Sequence, residues 1–460
     1  MSAFASPLGR SIGRLALVLA FAQAWPAFAQ DAAPSFIRDT EIEDILRQDC
    51  DPIFVAAGLD PKAVQIHIIS DRELNAFSAG GQQLFLNTGL IIETKTPNQL
   101  IGVIAHETGH IAGGHIARSG AAGHAALGPM LLGIGLGVLA AAAGAPDAAA
   151  GLIYSGGYFA EISVLGYSRV QESAADQAAV TYLERAGLSG RGLVDFFDNF
   201  RYQEVFDDEK KYPFFRDHPL TDDRIEALTV RVSHQAHVGA VDTPQAIERH
   251  AIMVAKLKGF LQGGGETLSD YPATDTSYPA RYARAIALYR ATETEPALKA
   301  IDALISEQPT NPYLWELKGQ VLFEAGRAAE AEPAHRKSTE LKPDAPLLQV
   351  NLGQTLIALN KPERLDEAID YIHKSLGREP DNPLAWRLLS EAYDGKHLPG
   401  MARLAAAEQE FYLGQMIEAR TFAVHARDYL QKDSPEWRRA TDIIYASKPS
   451  AAQLKVLNGG

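Results

Sequence analysis

Three residues that lie close together in the chain, His106, Glu107 and His110, have the types and spacing that metal-assisted hydrolysis requires. They lie in an apolar stretch that predicts a buried helix, in which residues four apart stand on the same face. Two imidazoles placed in this way can share one Zn²⁺, and Glu107 can reach a water molecule bound to it. A carboxylate beside the metal can take the proton of that water and return it later. A pattern this short also occurs by chance. A metal site is therefore predicted only if the chain also supplies the remaining ligands.

The third metal ligand has to come from another part of the chain. The longer zinc pattern, with a third histidine ten residues after the first, fails because that position is Ile116. His115 stands half a turn away from the first histidine on the predicted helix. We therefore predict that neither His115 nor His124 is a ligand.

A pair of carboxylates on a later predicted helix offers what a two-histidine site lacks. Glu172 and Asp176 are four residues apart and so share a face. One carboxylate can complete the ligand set, and another one turn further on can orient a ligand histidine. Such a pair is more often a solvated helix face, but the small residues Ala174 and Ala175 and the apolar continuation favour burial.

The composition narrows the class of protein. A chain of 460 residues has room for two or three domains, and 46% hydrophobic with 22% charged residues is ordinary globular composition. The formal net charge of −14 argues against binding to nucleic acid or, by bulk charge, to an anionic membrane. The single cysteine, Cys50, cannot form an internal disulfide, and we interpret it as a structural thiol.

Residues 1–29 have the composition of a secretory signal peptide. Arg10 and Arg14 precede an apolar run at residues 15–22, and an Ala-x-Ala cleavage pattern ends at Ala29. We therefore predict a cleaved signal and an exported protein. An uncleaved membrane anchor is the alternative, but the apolar run is well short of the roughly 20 residues that a spanning helix needs.

The region before the metal-site helix predicts mixed secondary structure. Residues 37–57 are amphipathic at helical spacing, and Pro52 should interrupt that helix. Short β-rich runs at residues 64–69, 74–79 and 83–91 predict a small sheet, with a hairpin turn at a glycine pair between the last two. An edge strand of this sheet could pair with an extended peptide.

Two more helices should carry the candidate site. The first is predicted from Gln99 to about Ala117, with Thr96 or Asn98 as its N-cap. The second should begin near Tyr167 and run to about residue 186, where a glycine ends it.

Two segments have more than one interpretation. Residues 121–166 are rich in Gly and Ala and almost uncharged. They could form membrane-spanning helices, a packed hairpin, or a flap that contacts a membrane or an apolar client, and we favour the flap. Residues 196–215 are rich in aromatic side chains and could cover the cleft as a lid or pack the domain.

The last part of the chain has the character of a helical repeat array. Residues 263–277 predict a linker, and after them Pro309, Pro343 and Pro380 recur at spacings of 34 and 37 residues. Large and small residues between these prolines match the tetratricopeptide pattern, although unrelated amphipathic helices could also explain them. We predict about four helix pairs between Tyr278 and Tyr445, stacked into a solenoid with a concave groove.

The two site motifs together resemble a known family. They read His106-Glu107-x-x-His110 and Ser168-Arg169-x-x-Glu172-x-x-Ala175-Asp176. The combination, over residues 37–231, resembles the gluzincin family of the CAAX-prenyl endopeptidases and HtpX-type proteases. This resemblance implies one zinc ion held by His106, His110 and Glu172, with Glu107 as general base and Asp176 supporting a ligand. It also implies an α+β zincin-like domain, mostly helical with a small sheet, here followed by an all-α tetratricopeptide solenoid.

A third stretch, residues 217–224, resembles a further motif of that family, a His-Pro followed by an arginine. By this resemblance His218 faces the metal, where it can stabilise the oxyanion or occupy the open coordination site. Arg224 would pair with a buried carboxylate. From the sequence alone, His218 would be a histidine in a surface loop.

The order of the segments resembles, over the whole chain, the β-barrel assembly-enhancing proteases of the bacterial periplasm. That resemblance implies a periplasmic endopeptidase for stalled or misfolded outer-membrane proteins, whose repeats bind clients or the assembly machinery. Peripheral membrane contact would come from residues 121–166. The alternatives are a non-proteolytic chaperone or scaffold with a structural zinc site, and an integral-membrane protease. The predicted division is a signal peptide, a peptidase domain, a linker, a repeat domain and a tail, at residues 1–29, 30–262, 263–277, 278–447 and 448–460.

Overall fold

A computed structural model describes residues 35–115, 169–206, 214, 218 and 220–448. The strands are β1 (Ser35–Ile37), β2 (Gln65–Ser70), β3 (Ala76–Ala79) and β4 (Gln83–Asn87). The helices of the first part are α1 (Thr40–Ala56), α2 (Thr88–Glu93), α3 (Pro97–Gly113), α4 (Arg169–Arg185), α5 (Arg191–Phe206), α6 (Asp222–Ser233), α7 (Pro244–Leu261) and α8 (Gly264–Asp270). The repeat helices are α9 (Tyr278–Arg290), α10 (Thr294–Glu307), α11 (Pro312–Glu324), α12 (Ala328–Leu341), α13 (Pro346–Ala358), α14 (Pro362–Leu376), α15 (Pro383–Gly395), α16 (Pro399–Tyr412), α17 (Met416–Arg427) and α18 (Pro435–Ala446). The predicted α+β part followed by all-α repeats is confirmed.

The four described strands form one sheet in the order β1-β2-β4-β3. β1 is antiparallel to β2, β2 is parallel to β4, and β3 and β4 form the predicted antiparallel hairpin. Gly81 in the hairpin turn has a φ of 76°, which a side chain with a Cβ would strain. The strand order places β3 at an edge of the sheet, where it packs against α3.

Helix α3 begins and ends at identifiable caps. The Thr96 side chain accepts a hydrogen bond from the backbone of Gln99, and Pro97 occupies the first turn. The helix ends at Gly113, and its cap Gly114 has a left-handed φ of 60°, so the predicted helix is interrupted there; residues 116 and 117 lie outside the described ones. Inside α3, Gly109 lets α4 approach closely, because a Cβ there would lie 2.9 Å from a backbone oxygen of that helix.

The core around α3 accounts for several apolar features of the sequence. Helix α1 runs through Pro52 without interruption, which corrects the prediction. Its buried Ile53 and Phe54 offset the hydrogen bond that a proline cannot donate. Cys50 is fully buried in the same core, as expected of a structural thiol.

The repeats comprise five helix pairs, α9 to α18, rather than the predicted four. The predicted span, from Tyr278 to Tyr445, includes all ten helices, and its terminal units depart from the repeat pattern, as terminal units often do. The predicted linker at residues 263–277 contains α8, and α7 packs directly against α9. The division of the chain at this segment stays a prediction.

Buried polar contacts join the first part of the chain to the repeats. Lys256 of α7 is 3% exposed, and its Nζ lies 2.7 Å from Asp39 Oδ2 and 3.0 Å from Glu41 Oε2. The Tyr282 hydroxyl of α9 donates to Glu41 at 2.8 Å. Burial alone would lower the pKa of Lys256, but the carboxylates of Asp39 and Glu41 outweigh this effect. The pKa of Lys256 therefore lies above its ordinary value.

Several predictions concern residues outside the described ones, namely the signal peptide, the segment 121–166, His124 and nearly all of the tail. Among the described helices, none is both long and apolar enough to cross a membrane. Of the aromatic side chains in residues 196–215, the described ones at 196, 197, 200 and 214 are buried in the core, which favours packing over a lid.

Candidate metal centre

The two histidines of α3 and the glutamate of α4 converge on one point. His110 Nε2 lies 3.2 Å from His106 Nε2 and 3.4 Å from Glu172 Oε1. The other oxygen, Glu172 Oε2, lies 3.5 Å from His106 Nε2. All three side chains are at most 1% exposed. The two imidazole nitrogens that meet are Nε2 atoms, so both Nδ1 atoms face outward from the cluster.

These spacings fit a metal ion. A tetrahedral ion with nitrogen and oxygen ligands at about 2.0–2.2 Å holds neighbouring ligand atoms about 3.3–3.6 Å apart. His218 adds a fourth donor, since its Nδ1 lies 3.5 Å from His106 Nε2 and 3.2 Å from Glu172 Oε1. Among the described residues, His106, His110, Glu172 and His218 form a cluster whose ligand atoms all lie within 4.8 Å of one another.

Two residues behind the cluster hold its ligands in place. Asp176 Oδ1 lies 2.9 Å from His106 Nδ1, one turn beyond Glu172 on α4. Arg224 of α6 donates from Nε to Asp176 Oδ2 at 2.9 Å and from Nη2 to Oδ1 at 3.0 Å. Its Nη1 lies 3.1 Å from Glu172 Oε2. A buried arginine therefore fixes both carboxylates, and through Asp176 it orients His106.

The electrostatics of the cluster follow from burial and from this pairing. Burial alone would lower the pKa of His106, but the carboxylates of Asp176 and Glu172 outweigh it and raise the pKa to about 10. Burial and the neighbouring histidines lower the pKa of His110. Burial raises the pKa of Glu172, but its contacts with His106 and His218 more than reverse this and leave it below its ordinary value. An ionised Glu172 and a neutral His110 are the forms that bind a metal.

Glu107 lies beside the cluster. It is fully buried, and Oε1 lies 3.3 Å from His218 Nε2. Burial raises the pKa of the Glu107 carboxyl above its ordinary value. A carboxyl with a raised pKa next to a metal site has the properties of a general base.

The structure brings every predicted site residue to this place. Helix α3 contributes His106, Glu107 and His110, and α4 contributes Glu172 and Asp176. Arg224 lies on α6, and His218 lies shortly before that helix. Sequence reasoning missed one contact. His115 is buried, and its Nδ1 lies 3.0 Å from Nδ1 of His110. The glycine pair before it was the available signal.

The fold and the cluster define a metalloprotease with a helical repeat extension. Residues 37–232 match the model of peptidase family M48, and residues 282–346 match a tetratricopeptide repeat model. The chain therefore carries a peptidase family M48 domain followed by tetratricopeptide repeats.

Known proteins with similar sequences match this chain over different shares of its length. The β-barrel assembly-enhancing protease of Yersinia pestis is 22% identical over 77% of this chain and 72% of its own length. A putative β-barrel assembly-enhancing protease of Vibrio cholerae is 25% identical over 74% of this chain and 70% of its own length. Metalloprotease LoiP of Escherichia coli is 25% identical over 38% of this chain and 66% of its own length. The chain is homologous to the β-barrel assembly-enhancing proteases.

Proposed function

We propose that the protein is an exported, zinc-dependent endopeptidase that cleaves misfolded or stalled outer-membrane proteins. The observation that carries the proposal is the convergence of two histidines and one glutamate, at tetrahedral spacing, beside the buried carboxylate of Glu107. The matching family and the names of the relatives support a protease.

In this proposal, His106, His110 and Glu172 hold the metal, one ion for each chain. Zinc is favoured because two imidazoles and one carboxylate are a usual ligand set for catalytic zinc. When bound, zinc supplies a Lewis acid that polarises the scissile carbonyl and makes water more acidic. Glu107 accepts the proton of the attacking water and passes it to the leaving amine nitrogen. General acid–base work of this kind contributes about 10²–10⁴-fold in rate.

The remaining site residues support these steps. Asp176 keeps His106 of α3 in position, and Arg224 keeps Glu172 of α4 in position. His218 stands at the fourth corner of the cluster, between Glu172 and Glu107. From this place it can occupy the position that the water needs, or it can donate to the oxyanion once substrate has displaced it. The edge strand β3 beside α3 offers backbone groups to an extended substrate.

The proposed location and partners rest on the resemblance and on the names of the relatives. Residues 1–29 have the composition of a signal peptide, and we place the protein in the periplasm, with peripheral contact to a membrane surface through residues 121–166. The groove of the repeats would bind client proteins or the outer-membrane assembly machinery. Nucleic acid is not an expected partner of so acidic a chain.

Two other functions make different predictions. A chaperone or scaffold with a structural zinc site would bind zinc without cleaving protein, but such a site has no use for a buried carboxylate beside the ligands. An integral-membrane protease would need detergent for its extraction, whereas the proposed enzyme would leave cells with the periplasmic fraction.

Cleavage of unfolded casein by the full chain tests the proposal. Wild type should cleave, and Glu107→Gln should lose at least about 10²-fold in rate while its zinc content stays unchanged. Glu226→Gln, at an exposed position on α6, is the matched control and should behave like wild type. Full cleavage by Glu107→Gln would refute this mechanism. Zinc binding without cleavage by wild type or by the His218→Ala variant would favour the chaperone.

A further inference from the structure

His115 follows the helix that supplies two of the metal ligands, and its imidazole returns to that helix. The left-handed Gly114 ends α3 immediately before His115. The His115 ring then packs edge-on against His110, with ring centres 5.0 Å apart and planes at 78°. His115 is 6% exposed, so the contact is shielded from solvent.

The two Nδ1 atoms of this pair lie 3.0 Å apart, at hydrogen-bond distance. The direction of the bond follows from the metal cluster. His110 Nε2 faces the other ligands, 3.2 Å from His106 Nε2, so a metal binds there. A neutral imidazole that binds a metal through Nε2 carries its proton on Nδ1. His110 Nδ1 is therefore the donor, and His115 Nδ1 must be the acceptor.

The ring of His115 also lies close to the backbone of Gly113. A Cβ built on Gly113 would lie 2.6 Å from His115 Nε2 and 2.9 Å from its Cδ2. Any side chain at residue 113 would thus push the imidazole away from its place. The absence of a side chain at Gly113 and the left-handed turn at Gly114 both allow the His115 ring to reach His110.

We propose that His115 is a positioning residue for the metal, which fixes the ring orientation and tautomer of His110 through this hydrogen bond. The inference rests on the proposed zinc site and deepens it. Each metal-binding side chain then has a buried partner: Asp176 for the first histidine, Arg224 for the glutamate, and His115 for the second histidine. Losing such a partner costs about 10–100-fold in metal affinity.

Zinc affinity, measured by competition with a chromophoric chelator, tests the proposal on the full chain. Every variant carries Glu107→Gln, so that self-cleavage does not interfere. His115→Leu removes the acceptor and keeps an apolar side chain of moderate size, and it should weaken zinc binding about 10–100-fold. His115→Asn places an amide oxygen close to where Nδ1 lies, and it should bind within about threefold of the parent. His237→Leu, at an exposed histidine, is the matched control.

A steric test uses Gly113. Gly113→Ala should weaken zinc binding, because the added Cβ would lie 2.6 Å from Nε2 and 2.9 Å from Cδ2 of His115 and so displace its imidazole. The visible absorption of the Co²⁺-loaded protein, which reports the ligand geometry directly, should change in His115→Leu and Gly113→Ala alone.

The outcomes separate the two levels of the argument. A Glu107→Gln parent that binds no zinc would overturn the proposed function and this inference with it. Zinc binding by the parent together with unchanged affinity in His115→Leu would overturn the inference alone. Equal losses in His115→Leu and His115→Asn would show that the ring matters only for packing, and would also overturn it.

Discussion

Replacing Asp176 by asparagine tests how the buried partners of the cluster control the metal. The carboxylate receives His106 Nδ1 at Oδ1 and two donors of Arg224, one at each oxygen. Asparagine keeps one acceptor oxygen and replaces the other with an NH₂ group. In either orientation of the amide, this NH₂ group faces a buried donor, so at least one hydrogen bond is lost.

The size of the effect follows from these contacts. A hydrogen bond to a charged group contributes about 1.5–3 kcal/mol, and a buried donor left without a partner adds a comparable cost. Part of this loss falls on the orientation of His106 and therefore on the metal. We expect zinc affinity to fall about 10–100-fold, which corresponds to about 1.4–2.7 kcal/mol. Arg224 then loses one of its two charged carboxylate contacts with α4, so the fold should also lose stability.

Two measurements separate the effect on the metal from the effect on the fold. Chelator competition gives the zinc affinity, and urea unfolding with and without zinc gives the stability of each form. Asp195→Asn, at an exposed position of α5, is the matched control. If Asp176→Asn bound zinc within about twofold of wild type, our account of how His106 is positioned would be refuted, whatever happened to stability.

Two further predictions concern the fourth corner of the cluster and the junction with the repeats. If His218 occupies the open position for most of the time, His218→Ala should raise the rate of casein cleavage about tenfold, and a slower variant would assign it to oxyanion binding instead. Burial raises the pKa of Glu316 on α11 to about 8, so between pH 4.5 and 8 the unfolded chain loses a proton that the folded chain keeps, and stability falls as pH rises. Glu316→Gln should therefore flatten the decline of the thermal midpoint across this range, whereas Glu340→Gln, at an exposed position, should leave it unchanged.

The local parts of the site could be predicted from the sequence because they depend on helical spacing alone. Four residues on one helix bring His106 over His110, and the same spacing brings Glu172 over Asp176. That the two helices meet could not be deduced from periodicity. It depends on the close approach at Gly109, and it was predicted only through the family resemblance.

Contacts between distant parts of the chain were harder to predict. Lys256 and Glu41 are charged residues on amphipathic helices, and in the sequence they resemble any solvated face. Their burial depends on where α7 and α9 pack, which no local pattern specifies. His115 was set aside on the assumption that α3 continued past Gly114, because an ideal helix places that residue away from the ligands. His115 is not part of the ligand cluster, as predicted, but after the left-handed Gly114 its ring contacts His110.

The buried junction at Lys256 has a consequence for substrate delivery. Because α7 packs directly on α9 and Glu41 of α1 accepts a hydrogen bond from Tyr282 of α9, the first repeat is held against the peptidase part. A flexible tether would let a captured polypeptide sample all distances from the cleft, with a local concentration set by tether length. Repeats that are held in one position relative to the peptidase part would instead keep a constant distance, along a client, from its docking segment to the bond that is cut.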